Sequence, residues 1–388
     1  MAYLEEAFCL IRNGASIKQF DGASGLPITR IETIADKTVN RAKMGFANII
    51  DDGQYDDYLL QDGDILMSHI NSEKHLGKVA LYHKENNEKI IHGMNLLVLR
   101  PNTKILSLFA YYYFSFQKFK NQIINITKKS VNQASFTVTA LKKLAIELPD
   151  INKQKLISRV LSKIDSAIKL HEKQLTDLDL LVKSRFIEMF IQNDAVFPNK
   201  KLGECTIINP KKSMDNRLKD DLIVSFVPMA SVGEDGSINT SDTKTYCEVK
   251  NGFTYFMDGD VLFAKITPCM ENGKGAVATN LCNGIGFGST EFHVIRPLEG
   301  ITNPVWLYTL SVLKEFRLAA EANMTGSSGQ KRTPSSFLQN YEIKLPPIDL
   351  QDQFADFVAQ VDKSKLAVQQ SLNELETLKK SLMQQYFG

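Results

Sequence analysis

At 388 residues the chain is long enough for two or three domains. Its 46 basic and 44 acidic side chains leave a net charge of +2, which excludes a general polycation, so any nucleic-acid site must be a local patch. Ordinary glycine and proline contents (22 and 12) exclude collagen-like or disordered character, and no apolar run approaches the ~20 residues that span a bilayer. The opening MAYLEEAFCLIRNG has neither the basic start nor the apolar core of a signal peptide, so a cytoplasmic protein without membrane contact is expected. Cys9, Cys205, Cys247, Cys269 and Cys282 form no Cys-x-x-Cys pair of the kind that holds structural zinc, and reduced, mostly buried thiols are expected.

Self-comparison reveals a tandem duplication. A shift of 196 residues lays Cys9 on Cys205, Asp62-Gly63-Asp64 on Asp258-Gly259-Asp260, Gly77-Lys78 on Gly273-Lys274 and Arg100-Pro101 on Arg296-Pro297. After one inserted residue the shift becomes 197, and Gln133 meets Gln330, Leu148-Pro149 meets Leu345-Pro346, and Phe190 meets Phe387. A near-constant register over the whole length does not arise by chance.

In chain order, each half opens with short strand-like runs, Ile65 to Met67 and Leu96 to Leu99 in the first, Val261 to Phe263 and Phe292 to Ile295 in the second. Turn residues punctuate them, among them the Asp-Gly-Asp steps and the stretch Gly284 to Gly288, which reads as a tight turn. A helical segment follows, near Leu106 to Asn121 and Pro304 to Asn323, then a polar loop, a Leu-Pro step and a long helix. Ile157, Leu161, Ile164, Ile168, Leu175, Leu178 and Val182 recur in steps of three and four, with His171 filling a gap. Phe354, Val358, Val361, Val368, Leu372 and Leu375 repeat that seam, with Lys365 as the odd member. Two such rods of ~50 Å, paired along their seams, predict a rigid spacer between two similar domains.

Chemistry-bearing motifs are missing. There is no Gly-x-x-x-x-Gly-Lys-Ser/Thr loop, no glycine-rich strand-to-helix turn for a methyl donor and no histidine pair at metal-binding spacing. Asp62, Asp64, Asp258 and Asp260 read as turn formers ahead of apolar strands. A reader rather than an enzyme is expected, with no catalytic residue, no metal and no cofactor of its own.

Two loops suit reading. Lys118 to Lys143 carries six lysines and no acid, and encloses Lys128-Lys129-Ser130-Val131-Asn132-Gln133. The matching Met324 to Arg332 ends in Gln330-Lys331-Arg332 and is again free of acids. Ammonium groups and hydroxyls suit phosphates, while Asn, Gln and Arg suit base edges. The halves agree at turns and rods but diverge where a ligand would lie. Ser68-His69-Ile70-Asn71-Ser72 opposes Ala264-Lys265-Ile266-Thr267-Pro268, and Asn95 opposes Glu291. Divergent edges on one scaffold fit a ligand with two unlike halves.

Here the chain resembles the specificity subunits of Type I restriction–modification systems. The likeness rests on Lys265 to Ala276, on Gly286-Phe-Gly-Ser-Thr-Glu-Phe292, on Gly326 to Arg332, on Ser68 to Lys78, and on the Leu-Pro-x-Ile-x-x-Gln steps at Leu148 and Leu345. It covers essentially the whole length; the first half departs from it with Gly93-Met-Asn-Leu-Leu97 in place of the Gly-Phe-Gly string. The resemblance implies an α/β (α+β) fold of two tandem target-recognition domains with two long helices forming an antiparallel coiled coil and pseudo-twofold symmetry. The expected boundaries are 1–150 and 194–347 for the domains, with spacer helices at 151–193 and 348–388. It also implies double-stranded DNA with a split target, two modification subunits that carry S-adenosylmethionine and methylate adenine N6, and restriction subunits that use ATP and magnesium.

The candidate DNA contacts are Ser68, His69, Asn71, Lys78, Lys128, Lys129, Asn132 and Gln133 in the first half. In the second they are Lys265, Thr267, Asn272, Lys274, Ser289, Thr290, Gln330, Lys331 and Arg332. Alternatives are a specificity subunit serving a fused methylase–nuclease, a nuclease or methylase in its own right, and a coiled-coil scaffold without a DNA role.

Overall fold

A computed structural model describes residues 2–19, 24–35, 37–72, 75–129, 133–192, 196–327 and 329–388. The chain divides into two compact units, Met1–His171 with Ser371–Gly388, and Glu172–Gln370.

In the first unit, four antiparallel strands lie in the order Phe8–Asn13, Leu96–Pro101, Ile65–Ser68, Val79–Leu81. Side chains alternate across the sheet as period two demands. Ile65, Met67, Leu97 and Leu99 join a core with Phe109, Phe114 and Phe119, while Leu66, Leu96 and Val98 pack on the other face with Ile34 and Tyr82. The second unit repeats this order with Thr206–Ile208, Phe292–Pro297, Val261–Ala264 and Gly275–Val277.

The second unit adds another four-stranded sheet, ordered Thr243–Thr245, Ile223–Val227, Ile285–Gly288, Thr254–Met257. Gly284 to Gly288 is therefore not simply a turn: only Gly284 turns (φ +69°), and Ile285–Gly288 is a buried strand. Its glycines serve close approach, since a Cβ on Gly286 would lie 2.2 Å from the Phe256 ring and one on Gly288 2.3 Å from the Val227 carbonyl oxygen. The first unit keeps a reduced version of this sheet. Pro27–Ile28 pairs with Gly45–Phe46, and Ile91 bridges Ile28 in parallel and Leu59 antiparallel.

The helical segment expected in each half is broken in two, into Ser107–Ser115 with Gln117–Ile126, and Pro304–Val312 with Lys314–Ala322. Phe116 (ψ 149°) and Leu313 (ψ 144°) adopt extended backbone at the equivalent position, so both helices of a pair bury an apolar face against one sheet. The long helices run Ile151–Phe190 and Ile348–Phe387.

Each long helix is clipped to its domain by a buried glutamine. Gln154 accepts from the Leu106 N–H (2.9 Å) and donates to the carbonyls of Lys104 (2.9 Å) and Pro149 (2.9 Å). Gln351 accepts from Asn303 (2.9 Å) and donates to Ile301 (3.0 Å) and Pro346 (2.8 Å). The glutamine and its three partner positions all match under the 197-residue shift, so this latch was duplicated whole.

Within each unit the two helix segments run antiparallel. In the first, Asp165 faces Lys379 and His171 faces Ser371; in the second, Asp179 faces Lys365 and Phe190 meets Phe354. The odd seam members His171 and Lys365 thus have polar partners. Met383 and Phe387 enter the first unit's core beside Ile157 and Leu161, whereas Phe186 and Phe190 enter the second's beside Phe354 and Trp306.

Two further expectations need correction. Only Cys205 is buried; Cys9 and Cys247 are exposed and Cys269 and Cys282 half-buried. Asp64 and Asp260 are more than turn formers. Each is fully buried and grips an arginine through both oxygens, Asp64 with Arg100 (2.8 and 2.8 Å) and Asp260 with Arg296 (2.7 and 2.7 Å).

Candidate nucleic-acid interface

The second strand of each main sheet runs out at Ser68 or Ala264, and the chain that follows meets the acid-free loop. In the first unit, Ala134–Ser135 pairs antiparallel with Ile70–Asn71 on one side and Lys128–Lys129 on the other. In the second, Arg332 bridges Ile266 on one side and Thr325 on the other. Under the repeat, Ile70, Ser135 and Lys128 correspond to Ile266, Arg332 and Thr325. The two stretches suspected separately from sequence therefore form one three-stranded ribbon, present in both units.

The ribbon gathers some candidates and sets others apart. In the first unit Asn71, Lys128, Lys129 and Gln133 lie on it or beside it, with both lysines exposed. Asn132 falls outside the described residues. Ser68 is buried and donates to the His75 carbonyl (2.6 Å), which closes its own loop. His69 is buried against Phe136, and burial pushes its pKa below the usual histidine range. Lys78 donates to the Ala35 carbonyl (3.2 Å), and Lys274 donates likewise to Met229 (3.0 Å). These two lysines, equivalent under the repeat, tie the loop to its own domain through backbone carbonyls.

In the second unit Gln330 and Lys331 are exposed at the ribbon's end. Thr267 donates to Glu271 (2.8 Å), Asn272 donates to Glu234 (2.9 Å), and Ser289 accepts from the Glu291 N–H (3.2 Å). Lys265 and Thr290 line a cavity of about 280 Å³ shared with Asn209, Tyr255 and His293. Burial lowers the pKa of His293, whose Nε2 lies against the Thr333 carbonyl (2.8 Å) and Nδ1 against the Asn209 amide (3.1 Å).

Arg332 is held by an ion pair and a backbone carbonyl. Glu291 grips its Nε (2.9 Å) and Nη2 (2.8 Å), and Nη1 donates to the Gln330 carbonyl (3.1 Å). The guanidinium holds the Glu291 carboxyl below the usual glutamate range. Sequence comparison marked position 291 only as a difference from Asn95; its role as the partner of Arg332 needed the fold. Arg317 was missed altogether. It is buried, lies over the Phe263 ring (4.4 Å), and donates to the Met270 carbonyl (2.9 Å) inside the 265–274 loop. Burial lowers its pKa to about 10.

Among the described residues no cluster of His, Cys, Asp and Glu could hold a metal ion, and no helix is long and apolar enough to cross a membrane.

The family model of the Type I restriction modification DNA specificity domain matches twice, over residues 6–180 and 196–377, so the chain belongs to that family. A putative type I restriction enzyme MjaX specificity subunit from Methanocaldococcus jannaschii is 41% identical over 205 residues, 53% of this chain and 48% of that one. The type I restriction enzyme EcoAI specificity subunit of Escherichia coli is 39% identical over 175 residues, 44% of this chain and 28% of its own length. The matched stretch thus spans about half or less of these curated relatives. In fold, the chain is similar over 98% of its length to the Type I restriction–modification S subunit of M. genitalium, with TM-score 0.53, 12% identity and 94% of that chain covered. A chain from a type I restriction–modification assembly gives TM-score 0.56 at 17% identity, with 100% of this chain and 96% of that one covered.

Proposed function

We propose that this chain is the non-catalytic DNA-reading subunit of a Type I restriction–modification complex. Each unit reads one half of a split, asymmetric target in the cytoplasm, and the long helices set the gap between the halves. Two modification subunits supply S-adenosylmethionine and methylate adenine N6, and restriction subunits supply ATP-driven cleavage. The observation that carries this reading is the duplicated ribbon: one backbone arrangement in both units, edged by unlike side chains. Like backbone with unlike edges is what a reader of two different half-sites requires, because phosphate contacts position and base contacts specify.

The test is single-molecule sequencing of DNA treated with the chain plus a cognate modification subunit, with each protein alone as control. N6-methyladenine at one split motif, in the mixture only, is the expected result. Methylation by the chain alone, or silence in a mixture whose methylase works with another reader, would overturn the proposal.

A second expectation concerns charge. Lys128 and Lys331 stand exposed on the ribbons, one in each unit. Replacing either by Ala lowers the slope of log binding constant against log salt by about one, with base preference unchanged. Fluorescence anisotropy on a specific and a scrambled duplex measures both quantities. An unchanged slope removes that lysine from the phosphate contacts.

A further inference from the structure

We infer that Arg332, held by Glu291, reads a guanine in the half-site bound by the second unit, and that the first unit has no such reader at the equivalent place. The inference rests on the DNA-reading function proposed above and assigns the chemistry of one position within it.

Three features lead there. First, Arg332 is fixed before any ligand arrives. Its backbone exchanges hydrogen bonds with Thr325 (2.8 and 3.0 Å), and the flanking Thr333 and Thr267 N–H groups donate to Lys265 (2.9 Å) and Lys331 (3.1 Å). Glu291 is anchored in turn, since its carbonyl accepts from the Lys265 N–H (2.9 Å). An arginine whose rotamer is already set loses little entropy on contact.

Second, the donor count suits a base edge. A guanidinium has five N–H groups. Glu291 takes one from Nε and one from Nη2, and the Gln330 carbonyl takes one from Nη1. One N–H remains on each terminal nitrogen, the pair needed by guanine O6 and N7 in the major groove. The Arg332 side chain is 43% exposed, within reach of a ligand.

Third, the electrostatics disfavour a phosphate. Glu291 neutralises the guanidinium and would repel a phosphodiester brought beside it, whereas the guanine edge is uncharged. A phosphate anchor gains nothing from such a partner, while a base reader gains orientation without indiscriminate attraction to the backbone.

The first unit has Asn95 and Ser135 where the second has Glu291 and Arg332. Neither residue supplies a guanidinium, so that half-site is read by other means at this place.

The experiment selects bound sequences from a randomised duplex library with the full chain in complex with its modification partner. Wild type, Arg332→Ala, Arg332→Lys and Glu291→Gln are compared. Wild type should enrich a split motif with guanine at one position that both Arg332 variants flatten, by roughly tenfold to a hundredfold for Arg332→Ala. All other positions, including the whole other half-site, should persist and show that the variants are folded. Glu291→Gln should weaken the same guanine preference and strengthen binding to unrelated DNA, because the guanidinium charge is released. Uniformly weaker binding of Arg332→Ala with the motif intact would overturn the inference but leave the DNA-reading function standing, as would loss at a base other than guanine. Absence of any motif with wild type would overturn both.

Discussion

Replacing Asp260 by Ala is expected to lower the stability of the second unit by about 3 kcal/mol. The carboxylate is 1% exposed, grips Arg296 through both oxygens (2.7 and 2.7 Å) and also accepts from the Met257 N–H (2.8 Å). Its removal strands a guanidinium that is only 21% exposed, together with a backbone donor. Because Arg296 keeps some access to water, the loss falls at the lower end of what breaking a buried ion pair costs. Asp258, two residues earlier, is exposed and only accepts from the Leu281 N–H (3.0 Å), so Asp258→Ala should lose no more than about 1 kcal/mol. The one tryptophan of the chain, Trp306, is buried in this unit, and its fluorescence under denaturant reports both variants. Equal losses for the two aspartates would refute the distinction between ion-pair and turn roles. The pair bears on the proposed function because the strand after Asp260 leads to Lys265 and the ribbon of the candidate interface.

Truncating Phe387 to Ala should destabilise the first unit by about 3–5 kcal/mol. The ring is 5% exposed and packs on Phe109 (5.4 Å between centroids), Tyr113 (5.9 Å) and Phe116 (6.0 Å). These residues come from the helix pair laid against the first unit's sheet, so a cavity there loosens the layer behind it. Hydrogen exchange over residues 107–126 is the measurement, and a marked loss of protection is expected. Leu378→Ala, on the same long helix but 47% exposed, should change protection little. If the two variants behave alike, the helix end does not complete the core in the way described.

Much of this fold is legible in the residues themselves. The strands at Ile65 and Val261 and the seam from Ile157 to Val182 are written in local periodicity, which needs no partner to be recognised. The broken helices at Phe116 and Leu313 were not legible, since an extended residue between two apolar helices leaves no proline or glycine behind. Nor was the buried strand Ile285–Gly288. Its glycines look like turn formers until Phe256 is placed against them.

The candidate interface divides the same way. Lysine-rich, acid-free composition singled out both loops, and the repeat singled out position 291 as unlike its counterpart. Composition did not separate Lys78 and Lys274, which bond to backbone carbonyls of their own domains, from Lys128 and Lys331, which are exposed. All four are lysines on polar segments, and only the distance to a carbonyl tells them apart.

The duplication, the period of each strand and helix, and the absence of nucleotide-binding or metal-binding motifs can be read from the residues without any fold. These are properties of order along the chain, and the shift of 196 to 197 residues carries them without coordinates. Tertiary structure alone decided which distant residues meet: Asp260 with Arg296, Gln351 with Ile301, Glu291 with Arg332, Phe387 with Phe109. Such pairs are held by short-range hydrogen bonds, charge and packing between segments 36 to 278 residues apart, and no local pattern encodes a contact made over so long a loop.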